Sequence, residues 1–176
     1  DSGNMDIHVK YGNLNAGNFT ANAMIEAKYG NIEVGNLQDA QLDLGYVGTA
    51  KIRNAKDLTI DSKYSNLDIQ DIQSLRMEIK YGNLTIESVS RLDMEIKYSD
   101  AKIGTLKDAL NVSSLSYSNL KIRNLSPSFS KVNVESHYGN LEVALPAKTS
   151  FRIVAENLKY SSCDVNGFNI TRKHFD

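Results

Sequence analysis

Apolar and polar residues alternate along almost the whole chain, as in Leu75-Arg76-Met77-Glu78-Ile79-Lys80-Tyr81. A period of two marks strands with one buried face, and no window carries the periodicity of an amphipathic helix. The alternation also recurs at a fixed phase. The nine tyrosines are Tyr11, Tyr29, Tyr46, Tyr64, Tyr81, Tyr98, Tyr117, Tyr138 and Tyr160, separated by 18, 17, 18, 17, 17, 19, 21 and 22 residues. Every tyrosine therefore occupies one position of a single repeat.

Alignment on tyrosine exposes further columns. Three residues after it stand Leu14, Ile32, Leu67, Leu84, Ala101, Leu120, Leu141 and Cys163. Five after it the column reads Ala16, Val34, Ile69, Ile86, Ile103, Ile122, Val143 and Val165, and eight after it begins Phe19, Leu37, Ile72, Val89. The Tyr46 repeat fits with one inserted residue, giving Ala50, Ile52 and Ala55. Four before tyrosine stand Ile7, Ile25, Leu42, Ile60, Met77 and Met94. That column frays at Ser113 and Glu156, where a bulge is expected.

After tyrosine comes Gly or Ser and then usually Asn, as in the segments beginning at Tyr11, Tyr64 and Tyr81. Gly and Asn tolerate positive φ, so a sharp corner is predicted there. A second polar corner follows seven after tyrosine, at Asn18, Asn36, Asp71 and Ser88. One repeat thus reads as a long strand, a corner, a short strand, a corner and a short third side. A single repeat cannot bury its apolar face alone, but stacked copies make the core continuous. The chain is predicted to be one all-β domain over residues 1–176, a single-stranded parallel β-helix of about nine short rungs. Right-handed winding is the default for parallel crossovers. A β-sandwich would need antiparallel neighbours and leaves the fixed phase unexplained.

The remaining columns are chemically uniform. One before tyrosine lie Lys10, Lys28, Lys63, Lys80, Lys97 and Lys159; three before lie Glu26, Asp43, Asp61, Glu78, Glu95 and Glu135. Both are out of phase with the core, so a solvated, salt-bridged face is expected. A stripe that docks a charged polymer or divalent cations is the functional alternative, but the lysines neutralise a carboxylate cage. Asn13, Asn31, Asn66, Asn83, Asp100, Asn119 and Asn140 should form a ladder of side-chain amides. The tyrosines share the parity of buried residues. Their rings are therefore expected to pack at the corner, stacked on one another, rather than to offer faces to sugars.

Lys+Arg number 20 against 21 Asp+Glu, a formal charge of -1, so neither nucleic acid nor an anionic membrane is expected as a partner. No apolar stretch reaches the length of a membrane span. The chain opens at Asp1 rather than Met, which reads as a mature form or a recombinant piece, with any signal peptide or lipid anchor upstream out of view. Another tyrosine would fall due near Asp176; either Phe168 to Phe175 close the core as a cap or the natural chain continues. Cys163 sits in an apolar column and reads as a buried small hydrophobe. His8, His137 and His174 lie in different repeats and form no metal cluster, and no phosphate loop, nucleophile elbow or zinc motif is present. No catalytic, cofactor or metal residue is assigned. Several Asn-x-Ser/Thr triplets, such as Asn83-Leu84-Thr85, follow from the Asn-rich corners.

The recurrent Lys-Tyr-Gly-Asn-Leu segment, as at residues 80–84, resembles that of bacterial adhesin-like families with β-helical repeats, common in Bacteroidetes and related to auto-transporter adhesin head domains. The resemblance runs from Met5 to Phe168. It implies an exported protein, periplasmic or at the cell surface, and brings no catalytic residues.

Three function classes follow. The first is a non-enzymatic surface or adhesion module whose partner is a glycan or protein on a cell surface. The second is a carbohydrate-active β-helix enzyme, which needs an acid and a base converging on one groove. The third is a structural unit assembling end to end into filaments, as in bactofilin-like helices. The candidate contact residues are Pro127, Ser128 and Phe129 with Pro146 and Lys148. They lie where the repeat lengthens, and insertions leave a solenoid as loops. The two loops are expected to project from one side.

Overall fold

The computed structural model describes residues 4–146 and 162–166. The strands are β1 (Met5–Lys10), β2 (Leu14–Ala16), β3 (Ala23–Lys28), β4 (Ile32–Gly45), β5 (Ala50–Lys63), β6 (Asn66–Lys80), β7 (Asn83–Lys97), β8 (Asp100–Ser116), β9 (Asn119–Leu125), β10 (Lys131–His137), β11 (Asn140–Ala144) and β12 (Ser162–Asn166). Every pairing is parallel, and each joins one repeat to the next. Between β5 and β6, Ile52 faces Ile69, Ile60 faces Met77 and Lys63 faces Lys80. Between β6 and β7, Tyr-aligned positions again meet, Ile69 with Ile86 and Lys80 with Lys97. The fold is a parallel β-solenoid. Its described residues make eight coils, Tyr11 to Tyr138 marking one each, and β12 adds part of another beside β11.

The three sides can be read from the register. In β6 the ladder passes over Gln70 and Gln73, so the chain bends at both and leaves the short side Asp71–Ile72 between them. The long side runs from Ser74 to Lys80 and ends on Tyr81. Inside, the predicted columns are stacked: Ile69, Ile86 and Ile103 are all but completely buried, as are Ile72, Val89 and Leu106. Burying these columns is what offsets the chain entropy of so many short segments.

The tyrosine corner departs from expectation in one respect. The rings stack on one another, but they stand outside the core, seven of them about half exposed and Tyr11 more so. The reason is backbone. Positive φ falls on the tyrosines themselves, from 49° at Tyr117 to 59° at Tyr138, and not on the Gly and Asn that follow. A residue in the left-handed region breaks the alternation, so the ring turns outward and the next residue turns inward. Val47, Ser65, Ser99 and Ser118 are accordingly buried. Gly82 is needed for close approach rather than for φ: a Cβ there would lie 1.9 Å from the Ser65 carbonyl oxygen. Where serine takes that place its hydroxyl bonds to the backbone of its own coil and of the coil before. Ser65 Oγ accepts from the Val47 N–H at 2.9 Å and donates to the Lys63 carbonyl at 2.9 Å.

The lengthened coils also resolve. The 19-residue interval before Tyr117 has one extra residue between Leu106 and Ala109 and a bulge at Ser113. Val112 fills the buried place that the repeat assigned to Ser113. The bulge at Ser113 is the one its frayed column predicts, whereas the extra residue between Leu106 and Ala109 lies outside the two segments expected to carry the insertions. The next interval does place its insertion as expected. Leu125 faces Leu106 and Lys131 faces Ala109, so residues 126–130 oppose only two residues of β8.

Candidate functional site

The third corner, just before each long strand, is concave. It forms an open groove of about 820 Å³ running along the axis across all eight coils. One wall comes from residues five before tyrosine, among them Asp6, Gln41, Thr59, Arg76 and Asp93; the other comes from residues seven before, among them Asp39, Asp57, Ser74 and Arg91. Between them the buried Leu58, Leu75, Leu92 and Leu110 anchor the floor. At a rise of ~4.8 Å per coil the groove is on the order of 30 Å long.

Its charges are distributed unevenly. Asp6, Asp39 and Asp57 belong to the first four coils, whereas Arg76, Arg91 and Lys131 belong to coils five, six and eight, together with Asp93 of coil six. Asp6 lies 3.1 Å from His8 Nε2, and Arg76 Nε lies 3.6 Å from Asp93. Asn111 Nδ2 donates to Asp93 at 3.0 Å, and Asn133 Nδ2 donates to Asn111 Oδ1 at 3.0 Å. Among the described residues no ion pair engages Arg91 or Lys131. These groove columns were missed in the sequence because neither is uniform; mixed chemistry at a fixed phase was the only signal.

The sequence-predicted contact residues reach the same corner in part. Phe129 N–H donates to the Ser126 carbonyl at 3.1 Å, closing a turn with Pro127 at its second position, where a fixed φ suits. The feet are pinned by Ser126 N–H to Leu106 O and Ser130 N–H to Asp108 O, both 2.8 Å. Pro127 and Ser128 are exposed, while Phe129 packs partly buried against the core. The turn ends at Lys131, on the groove wall. Pro146, half-buried, follows Val143 by three residues as Leu125 follows Ile122, and the rest of the second segment, expected to project beside the first, lies outside the described residues. Lys148 lies outside the described residues, as do Tyr160, His174 and the Phe168 to Phe175 segment; for Cys163 only the backbone pairing to Leu141 is described.

The uniform columns form the opposite end of the long side. Glu26 and Lys28 meet at 2.6 Å, Asp61 and Lys63 at 3.5 Å, and Glu78 with Lys80 and Glu95 with Lys97 repeat the pair within their strands. The hydrogen bond from Lys80 holds the Glu78 carboxyl below its ordinary value and raises the Lys80 ammonium. Lys28, helped by His8, does the same to Glu26. The amide ladder is present: Asn83 Nδ2 donates to Asn66 Oδ1 at 3.0 Å and Asn140 Nδ2 to Asn119 Oδ1 at 2.8 Å. Beside it run eight stacked tyrosines, with centroids 4.7 to 5.2 Å apart and planes within 9°. Each stacked pair contributes ~0.5–1.5 kcal/mol. The left-handed backbone at each tyrosine costs roughly 1–2 kcal/mol, so stacking at most offsets it. Because the ring faces cover one another, only edges and hydroxyls are offered sideways, and a sugar cannot stack on the flank.

Among the described residues no three His, Cys, Asp or Glu side chains come together as metal ligands, and no helix is long and apolar enough to cross a membrane. No curated protein and no solved structure matches the chain. The model of the Toastrack DUF4097 family matches residues 1–174, and with its stacked β-solenoid coils the chain belongs to that family.

Proposed function

We propose that this domain is a non-catalytic, adhesin-like recognition rod that binds an extended glycan along the groove of its third corner. The observation that carries the reading is the groove's construction, in which each of the first seven coils contributes wall residues at the same two ladder positions and the eighth adds Lys131. Hydrolysis or elimination needs an acid and a base converging on one bond. A groove of repeated walls instead suits a repeated ligand. Its amides, hydroxyls and charged heads match a hydroxyl-rich polymer, and its open form differs from the enclosed pockets that hold small ligands. Acidic substituents would sit at coils five to eight, where among the described residues no ion pair engages Arg91 or Lys131. Export to the periplasm or cell surface belongs to the same proposal and rests on the adhesin-like resemblance.

Calorimetry with acidic and neutral oligosaccharides of equal length tests this. The acidic ligand should bind more tightly. Arg91→Ala with Lys131→Ala should weaken it about tenfold, equivalent to ~1.4 kcal/mol. The recovered ligand should be uncut. Unchanged binding in the double variant, or cleavage abolished by Glu78→Gln, would overturn the reading.

A further inference from the structure

The tyrosine ladder is not used by the groove. Tyr81 and Arg76 are five residues apart on one long side, so the two surfaces lie at opposite ends of it. Eight tyrosines between 46% and 71% exposed form one aromatic stripe down the rod. Contiguous exposed apolar surface of this extent marks an interaction face. Corner closure alone does not require it, since Gly or Asn adopts the same φ without strain.

We infer that this stripe is a self-association face, on which a second copy of the chain lays its own tyrosine ladder to form a side-by-side dimer. Three observations select that occupant. A fully buried aromatic side chain covers roughly 150–250 Å², so eight half-exposed rings leave on the order of 800 Å². That is the share of about 800 Å² that one partner contributes to a stable interface. The second is periodicity: centroids recur every 4.7 to 5.2 Å, and a second copy carries the same repeat, so its ring edges stay in step from coil to coil. A partner with another repeat loses step after a few coils. The third is charge. The flanking Lys28–Glu26, Lys63–Asp61, Lys80–Glu78 and Lys97–Glu95 pairs are internally neutral, so two copies meet without like-charge repulsion. A two-fold axis then makes the face self-complementary.

Sedimentation velocity on the full chain tests the inference. The wild type should move from monomer to dimer as concentration rises through the micromolar range. Replacing Tyr64, Tyr81 and Tyr98 together by Asn keeps a residue that tolerates positive φ, so circular dichroism should be unchanged while the dimer dissociates at least tenfold more readily. Should the triple variant not fold, single Tyr81→Asn gives the same readout with a smaller shift. Glycan binding at the groove is left intact in both. A wild type that stays monomeric at high micromolar concentration overturns the inference, even where it binds a flat conjugated dye such as thioflavin T along the ladder. So does a dimer that survives the substitutions.

Discussion

Tyr64 and Tyr81 stack with centroids 4.9 Å apart and planes 5° apart, and both hold positive φ, 54° and 56°. Side-chain stacking and backbone strain are thus coupled at one position. Tyr81→Val should destabilise by about 2–3 kcal/mol, since a β-branched residue is ill suited to this region and the stacks are lost. Tyr81→Asn should cost only about 1 kcal/mol, because relief of strain offsets part of the lost stacking. Urea midpoints at constant slope separate the two.

Two glycines at one repeat position should respond differently. A Cβ on Gly82 meets the Ser65 carbonyl oxygen at 1.9 Å, whereas one on Gly12 meets only Val9 Cγ1 at 3.8 Å. Gly82→Ala should lose about 1–3 kcal/mol through forced backbone movement, and Gly12→Ala should be near neutral. Thermal unfolding of the pair checks this.

Ser62 interrupts an apolar column, facing Leu44 on one side and Ile79 on the other. It is fully buried, and among the described residues its hydroxyl has no partner. Leaving a buried hydroxyl unpaired costs about 1–3 kcal/mol, so Ser62→Ala should raise stability by about 1 kcal/mol. A lower unfolding midpoint for the variant would show that the hydroxyl is satisfied.

The strand-borne ion pairs set the pH response. Lowered carboxyls at Glu26 and Glu78 supply stability that is present above the ordinary glutamate value of about 4.3 and is lost as pH falls through their folded values. Raised ammonium groups at Lys28 and Lys80 supply stability that is present below about 10.4 and is lost as pH climbs beyond it. The unfolding midpoint should therefore be flat near neutrality and decline at both extremes. Because the groups are partly exposed, Glu78→Gln at neutral pH should change stability by no more than ~1 kcal/mol.

The coil, its register and its core columns were legible because burial enforces a repeat: Ile69, Ile86 and Ile103 must match for the stack to close. The amide ladder and the Lys–Glu pairing were legible for the same reason. The direction of the tyrosine rings was not. Period-two parity places Tyr81 inside, and a single left-handed φ reverses it without any change in spacing. The groove was hidden because curvature at the third corner depends on how three sides meet, while its wall residues, from Asp39 to Arg91, share position and not chemistry.

The most direct measurement is an amide chemical-shift titration of the isotopically labelled chain with an acidic oligosaccharide. Recognition along the rod predicts shifts at matching positions of successive coils, Arg76, Arg91, Asn111 and Lys131 among them, while the ligand stays intact. Shifts confined to one coil with product signals appearing, or shifts clustered on the Lys–Glu face with the groove silent, would contradict it.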